Sequence, residues 1–239
     1  MKANVIGLTS SCVSCRNCPA SRACIATELS GQDPAIRDRI VKRRRFMQKG
    51  EMLYRPGEPL RALYTVQTGC IRTSMTTCDG EVQVLGFHVP GELLGIDALG
   101  EQRHPSEAAA IETTAVCEYP YHELERLMGE APAIQRQLLR LLSREIAREE
   151  ELMCLLGQRN AESRLAACLL NLSERYSRGG KRGDGFTLAM SRQDLGNHLG
   201  LAMETVSRLI SRFQDEGMLS VAGRHVQLLD APRLHALME

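Results

Sequence analysis

Residues 133–158 contain no proline, and their one glycine, Gly157, stands near the end. They can therefore run as a single helix about 39 Å long, at about 1.5 Å per residue. Along this stretch Leu139, Leu142, Ile146, Glu149, Met153 and Leu156 are separated alternately by three and four positions, the spacing of a heptad seam. Such a seam needs a partner, which is either a second copy of the helix or the chain's own β-rich part. Glu149, in the run "REEEL", is the one acidic group on the seam. Two such carboxylates facing each other across a symmetric pair repel, so these six residues are expected to form a dimerisation surface whose strength Glu149 sets.

The sequence on either side of this helix differs in texture. Between Phe46 and Tyr119, short β-type runs ("ALYTV", "CIRTSM", "VQVLGF", "AVCEYPY") alternate with the turn signals Lys49-Gly50, Arg55-Pro56-Gly57, Asp79-Gly80 and Pro90-Gly91. This is the pattern of a small antiparallel barrel or sandwich, with Asp79-Gly80 as a hairpin tip. Ahead of it, Ile36, Ile40 and Val41 share one helical face, and the basic run at 42–45 is expected to be the solvated end of that helix. After it, "YHELERLMGEAP" reads as a short helix reset by Pro132. Beyond residue 158, "NAESRLAACLLNLSERYS" is a further amphipathic helix, closed by the glycine-rich loop "RGGKRGDG". The expected fold is α+β: a cysteine-rich segment at 1–30, an antiparallel β-roll at 31–132, a dimerisation helix at 133–158 and a second, smaller unit at 159–239.

Thirty Lys and Arg nearly cancel 29 Asp and Glu, so bulk charge directs the chain neither to nucleic acid nor to a membrane surface. Within residues 160–239 the balance is likewise 10 basic against 9 acidic, and recognition must rest on where charges sit. The first residues carry no apolar core of a signal peptide and no later stretch has the length of a membrane span. A cytoplasmic protein without a membrane partner is expected. In a reducing compartment nine cysteines are not a disulfide framework, and a cluster of them favours metal or redox chemistry. Four fall in "SCVSCRNCPASRAC": Cys12, Cys15, Cys18 and Cys24. Spacing alone fits a zinc site or part of a ferredoxin run equally well.

In "MSRQDLGNHLGLAMETVSRLISRF", Ser191 followed by Asp194 is a helix start, because a serine oxygen can cap the free N–H groups of the first turn. Leu195 and Leu199 share a face, Gly200 turns the chain, and a second helix is expected from about Ala202, with Met203, Val206, Ile210 and Phe213 inward. Two helices joined this way are a helix-turn-helix, although an ordinary helical subdomain would show the same periodicity. On the outward side stand Glu204, Thr205, Ser207, Arg208, Ser211 and Arg212. Arg208 can donate two bonds to a guanine edge, Glu204 can accept from cytosine, Ser207 suits base or phosphate, and Arg212 suits phosphate. The alternation around Ala222-Gly223 reads as a hairpin wing.

In this order of parts the chain resembles the cyclic-AMP receptor and FNR superfamily of bacterial transcription factors. The segments "GFHVPGELLGIDALG", "AVCEYPY", "NAESRLAACLLNLSERY" and "GLAMETVSRLISRFQDEGML" resemble its oxygen-sensing FNR branch. The resemblance implies a homodimer that reads a TTGAT-type palindrome through Glu204, Ser207 and Arg208. It implies one 4Fe-4S cluster per subunit, held by Cys15, Cys18, Cys24 and Cys117. Spacing does not choose Cys117 over Cys70, Cys78, Cys154 or Cys168, and Cys12 lies close enough to exchange with Cys15. The resemblance further implies that oxygen destroys or converts the cluster, weakening the dimer and its hold on DNA, and that RNA polymerase is a partner, with the Asp79-Gly80 turn a candidate contact. His104-Pro105-Ser106 stands where cyclic-nucleotide binders carry an Arg-Ser pair, so cyclic AMP is not an expected ligand. Pro19, next to Cys18, and Ala23, next to Cys24, are expected to alter the cluster's stability in oxygen.

Three alternatives remain at this level. The same fold could sense through haem using His88, or through thiol oxidation, or the chain could be an electron-transfer iron–sulfur protein with no base-reading helix. No phosphate loop, nucleophile elbow or acid–base pair marks an enzyme.

Overall fold

The computed structural model describes Cys18, Cys24 and residues 43–158, 160–178 and 185–238. Cys12, Cys15, Pro19, Ala23, the helix expected around Ile36 and most of the loop after residue 178 lie outside the described residues. The alternating segments form eight strands: β1 Arg43–Met47, β2 Met52–Tyr54, β3 Ala62–Thr68, β4 Ile71–Thr76, β5 Val82–His88, β6 Leu93–Leu94, β7 Glu107–Ala110 and β8 Thr114–Pro120. They pair antiparallel into two four-stranded sheets, ordered β1-β8-β3-β6 and β2-β7-β4-β5. Between the sheets Met47, Leu53, Val66, Ile71, Leu94 and Val116 are buried together, as period-two strands require.

One expectation fails here. Arg43, Arg44 and Arg45 are not the end of a helix but the first three of the five residues of strand β1. The strand pairs with β8, placing Arg43 opposite Glu118, and Arg45 Nη2 donates to the Met52 carbonyl at 2.9 Å. Cross-strand charge pairing and these carbonyls supply what a solvated helix end would have lacked.

Helices α1 Tyr121–Glu130 and α2 Pro132–Gln158 follow. On α2 one side, Ile134 and Leu138, is buried against the roll, while Leu139, Ile146 and Met153 are each more than half exposed, at 58%, 60% and 64%. Glu149 is also exposed, and Leu142 and Leu156 are half-buried. Leu139, Ile146, Glu149 and Met153 thus face away from the chain's own core, while Leu142 packs against its edge.

The C-terminal part comprises α3 Ala161–Arg178, β9 Phe186–Thr187, α4 Arg192–Leu199, α5 Met203–Asp215, β10 Leu219–Ala222, β11 His225–Leu228 and α6 Ala231–Ala236. Its sheet has the order β10-β11-β9, so the expected wing gains a third strand. Leu165, Leu169 and Leu172 of α3, Leu195 and Leu199 of α4, and Val206, Leu209, Ile210 and Phe213 of α5 make its core. That cluster also takes in Val84 and Phe87 from β5. Met203, expected inside, is 45% exposed. It is the first residue of α5, one turn short of the contact with α3 and α4, and Leu209 fills the core instead.

Candidate functional site

The helix pair is built by local chemistry. Ser191 Oγ accepts from the Asp194 N–H at 3.0 Å while Asp194 Oδ2 faces the Ser191 N–H at 3.3 Å, a complete capping box. Gly200 closes α4 in the left-handed region, φ 63°, which a side chain disfavours. Gly196 is required for a different reason: a Cβ there would lie 2.5 Å from the Leu201 carbonyl oxygen. The absence of that carbon lets the turn fold back onto α4, where the Leu201 N–H reaches the Gly196 carbonyl at 2.8 Å.

This turn exposes Glu204, Ser207, Arg208, Ser211 and Arg212 on one side of α5, with Thr205 half-buried. Among the described residues Arg208 has no hydrogen-bonding partner, so its fork is available to a base edge. Arg212 is engaged: its guanidinium meets Glu162 at 2.5 Å and Glu216 at 2.7 Å. Charge and hydrogen bonding from Glu216 and Glu162 raise its pKa further above the ordinary guanidinium value. A phosphate would meet an arginine already oriented, and would compete with two carboxylates for it.

The second site lies on the outer face of the sheet containing β3 and β8. Register places Leu63 opposite Tyr119 and Thr65 opposite Cys117, so Leu63, Thr65, Cys117 and Tyr119 point to the same side. Cys18 and Cys24 meet this face. Cys24 Sγ is 3.3 Å from the Tyr119 hydroxyl, and Gln67 Nε2 donates to Cys18 Sγ at 3.6 Å. Cys24 and Cys117 are buried in one cluster with Leu124 and Leu127 of α1 and Ile134 and Leu138 of α2. Of the other cysteines, Cys70 is buried at the junction with α3, Cys168 is half-buried and Cys78 and Cys154 are exposed. No group of three His, Cys, Asp or Glu close enough to hold a metal ion occurs among the described residues. The donors nevertheless suit an iron–sulfur cluster in kind: soft sulfur ligands on one sheet face, next to the buried hydroxyl of Thr65, which has no hydrogen-bond partner among the described residues.

Within the roll, His104 stacks on Tyr54 at 3.7 Å between ring centroids, and Ser106 donates to Asp97 Oδ2 at 2.6 Å. His104 Nδ1 lies 3.8 Å from the other Asp97 oxygen. Burial pushes the Asp97 carboxyl up, but the neighbouring His104 and Ser106 outweigh this and leave it below its ordinary value. Asp97 thus stays an anion directly beside Ser106. His88 Nε2 is held by Thr73 Oγ1 at 3.1 Å, and removal from water, reinforced by Arg175 and Arg148 over the opposing Glu92, lowers its pKa to about 4.

An eight-stranded roll followed by a long helix with an exposed seam and a winged helix-turn-helix defines a ligand- or signal-controlled DNA-binding regulator. Comparison with known proteins agrees: residues 44–131 match the cyclic nucleotide-binding domain and residues 163–237 the Crp-like helix-turn-helix domain. The chain is 43% identical over 223 residues to the transcriptional activator protein anr of Pseudomonas aeruginosa, covering 93% of this chain and 91% of that protein. It is 41% identical over 216 residues to the fumarate and nitrate reduction regulatory protein of Escherichia coli K12, covering 90% and 86%. The solved structure of FixK2 from Bradyrhizobium japonicum superposes with a TM-score of 0.76 at 33% identity, covering 82% of this chain and 96% of that one. The protein belongs to the CRP/FNR family of transcription regulators, which are not enzymes. No helix among the described residues is long and apolar enough to cross a membrane.

Proposed function

We propose that this protein is an oxygen-responsive transcription regulator of the FNR/Anr kind, active as a homodimer on TTGAT-type palindromic DNA. The observation that carries the reading is the burial of Cys24 and Cys117 in the same cluster as Ile134 and Leu138 of α2, because it joins the sensing thiols to the helix that would hold the dimer together. Cys15, Cys18, Cys24 and Cys117 would hold one 4Fe-4S cluster per subunit, which supplies a centre that oxygen can attack.

The protein's own residues make the coupling. When the thiolates are held together, Cys24 and Cys117 fix the packing of Tyr119, Leu124 and Leu127 beneath the start of α2. That orients the exposed stripe of Leu139, Ile146 and Met153 for a second copy. Glu149 opposes the pairing, so the dimer sits near balance and a modest change in packing changes its population. In the dimer, two α5 helices enter successive major grooves about one helical turn apart. Arg208, Glu204 and Ser207 read bases, and Arg212 approaches phosphate. Because the two half-site contacts reinforce each other only when paired, loss of the dimer becomes a larger loss of DNA occupancy. The Asp79-Gly80 hairpin tip, between β4 and β5, is available to RNA polymerase. Asp97 beside Ser106, and the lack of an arginine next to that serine, argue against cyclic AMP as the ligand.

The test is to purify the full chain without oxygen, determine iron and sulfide, and follow binding to the palindrome before and after admitting air. About four irons per chain with binding lost in air is expected. Metal-free protein that binds equally well in air would refute the sensor while leaving the regulator.

A further inference from the structure

We propose that Tyr119 and Gln67 are positioning residues that set the redox properties of the cysteine site, by donating hydrogen bonds to the sulfurs of Cys24 and Cys18. The inference rests on the cluster-binding reading above and deepens it. The contacts are Tyr119 hydroxyl to Cys24 Sγ at 3.3 Å and Gln67 Nε2 to Cys18 Sγ at 3.6 Å, both within reach of a bond to sulfur.

The surroundings make these two side chains unusual. Tyr119 is fully buried and Gln67 is 6% exposed, on a face whose other members include Leu63, Leu124, Leu127 and Ile134. A buried phenol or amide has a polar partner in nearly every folded protein, and here the partner in each case is a cysteine sulfur. Gln67 follows Leu63 and Thr65 at period two and so stands on the same face. The β3–β8 register runs from Val66 opposite Val116 directly to Thr68 opposite Ala115, leaving Gln67 as the unpaired residue of a β-bulge.

The direction of both bonds follows from chemistry. A cysteine that ligates metal is a thiolate with no proton to give. The phenolic O–H and the amide N–H must therefore donate, and the sulfur must accept. A donated hydrogen bond draws electron density from the ligating sulfur, raises the reduction potential and makes the centre harder to oxidise. Tyr119 and Gln67 are thus expected to slow the response to oxygen, each through a different cysteine.

The experiment uses the full chain, reconstituted anaerobically with iron and sulfide, as wild type, Tyr119→Phe, Gln67→Leu and the double variant. Iron content is measured first, then the midpoint potential by redox titration, the iron–thiolate stretching bands by resonance Raman, and the rate of bleaching in air. We expect equal iron, a lower potential, shifted stretching bands and bleaching several-fold faster in Tyr119→Phe. Gln67→Leu should show a smaller change in the same direction, and the double variant the sum. Fully loaded single variants with wild-type potential, bands and bleaching rate would overturn the inference while leaving the cluster in place. Wild type that takes up no iron would overturn the cluster-binding reading and this one with it. Should Tyr119→Phe fail to load, Gln67→Leu decides the matter by the same three readouts.

Discussion

Glu92, on the turn before β6, holds Arg175 of α3 in a two-point ion pair, with Nη2 at 2.6 Å and Nε at 2.7 Å from its two oxygens. Arg148 of α2 reaches the same carboxylate at 3.1 Å, and Arg175 also donates to the Phe87 carbonyl. One largely buried carboxylate therefore ties together the roll, the long helix and the DNA-binding unit.

Burial would raise the Glu92 pKa, but the charge and hydrogen bonds of Arg175, then the charge of Arg148, hold it at about 2 against an ordinary value of 4.5. A depressed carboxyl contributes stability that is present above its unfolded pKa and is lost as pH falls through the folded one. Stability should therefore decline between about pH 4.5 and pH 2. Protonation of His88, whose pKa is lowered to about 4, should add to the loss below its ordinary 6.5. Glu92→Gln should cost about 3 kcal/mol near neutral pH, because it leaves the largely buried Arg175 charge without its counter-ion, and should flatten the acid limb. Chemical denaturation at a series of pH values checks both.

Glu149→Ala should tighten dimerisation several-fold. Burial and the nearby Glu145 raise the Glu149 pKa, partly offset by Arg148 and Arg175. Neutralising it is thus the easier state when the seam is covered. Lowering the pH through its raised pKa should act in the same direction as the substitution. Sedimentation equilibrium of the wild type and variant at two pH values would measure this, and an unchanged dimer constant in the variant would remove Glu149 from the interface.

Arg208→Ala should weaken binding to the palindrome by about 1–3 kcal/mol per half-site and relax preference at one base pair, with thermal stability unchanged because Arg208 makes no internal bond among the described residues. Arg212→Ala should behave differently, lowering affinity across all sequences and reducing the salt dependence. Fluorescence anisotropy on matched and mutated sites at several salt concentrations separates the two.

Gly196→Ala should destabilise the C-terminal unit by about 1–3 kcal/mol, since its new Cβ would meet the Leu201 carbonyl oxygen at 2.5 Å. Gly200→Ala should cost about 1 kcal/mol through the left-handed φ alone. Differential scanning calorimetry should rank the first as the greater loss.

Much of this protein is decided by local pattern. The proline-free run at 133–158, the capping residues Ser191 and Asp194, Gly200 and the turn dipeptides along the roll each act within a few residues, so spacing and residue type were enough to place them. Other features depend on contacts that cross the chain. Arg43–Met47 carries the charge of a helix end and becomes a strand because Glu118, some 75 positions later, lies opposite it in β8. Nothing near Cys117 in sequence marks it out from Cys70 or Cys168. The pairing of β3 with β8 puts it on the face where Cys24 and Tyr119 lie, while Cys70 is carried to the junction with α3. Periodicity likewise could not say whether the α2 seam served a partner or the roll, because both surfaces are apolar. Only the packed structure, by burying Ile134 and Leu138 and leaving Ile146 and Met153 outside, assigned one side of the helix to the chain itself and left the other uncovered.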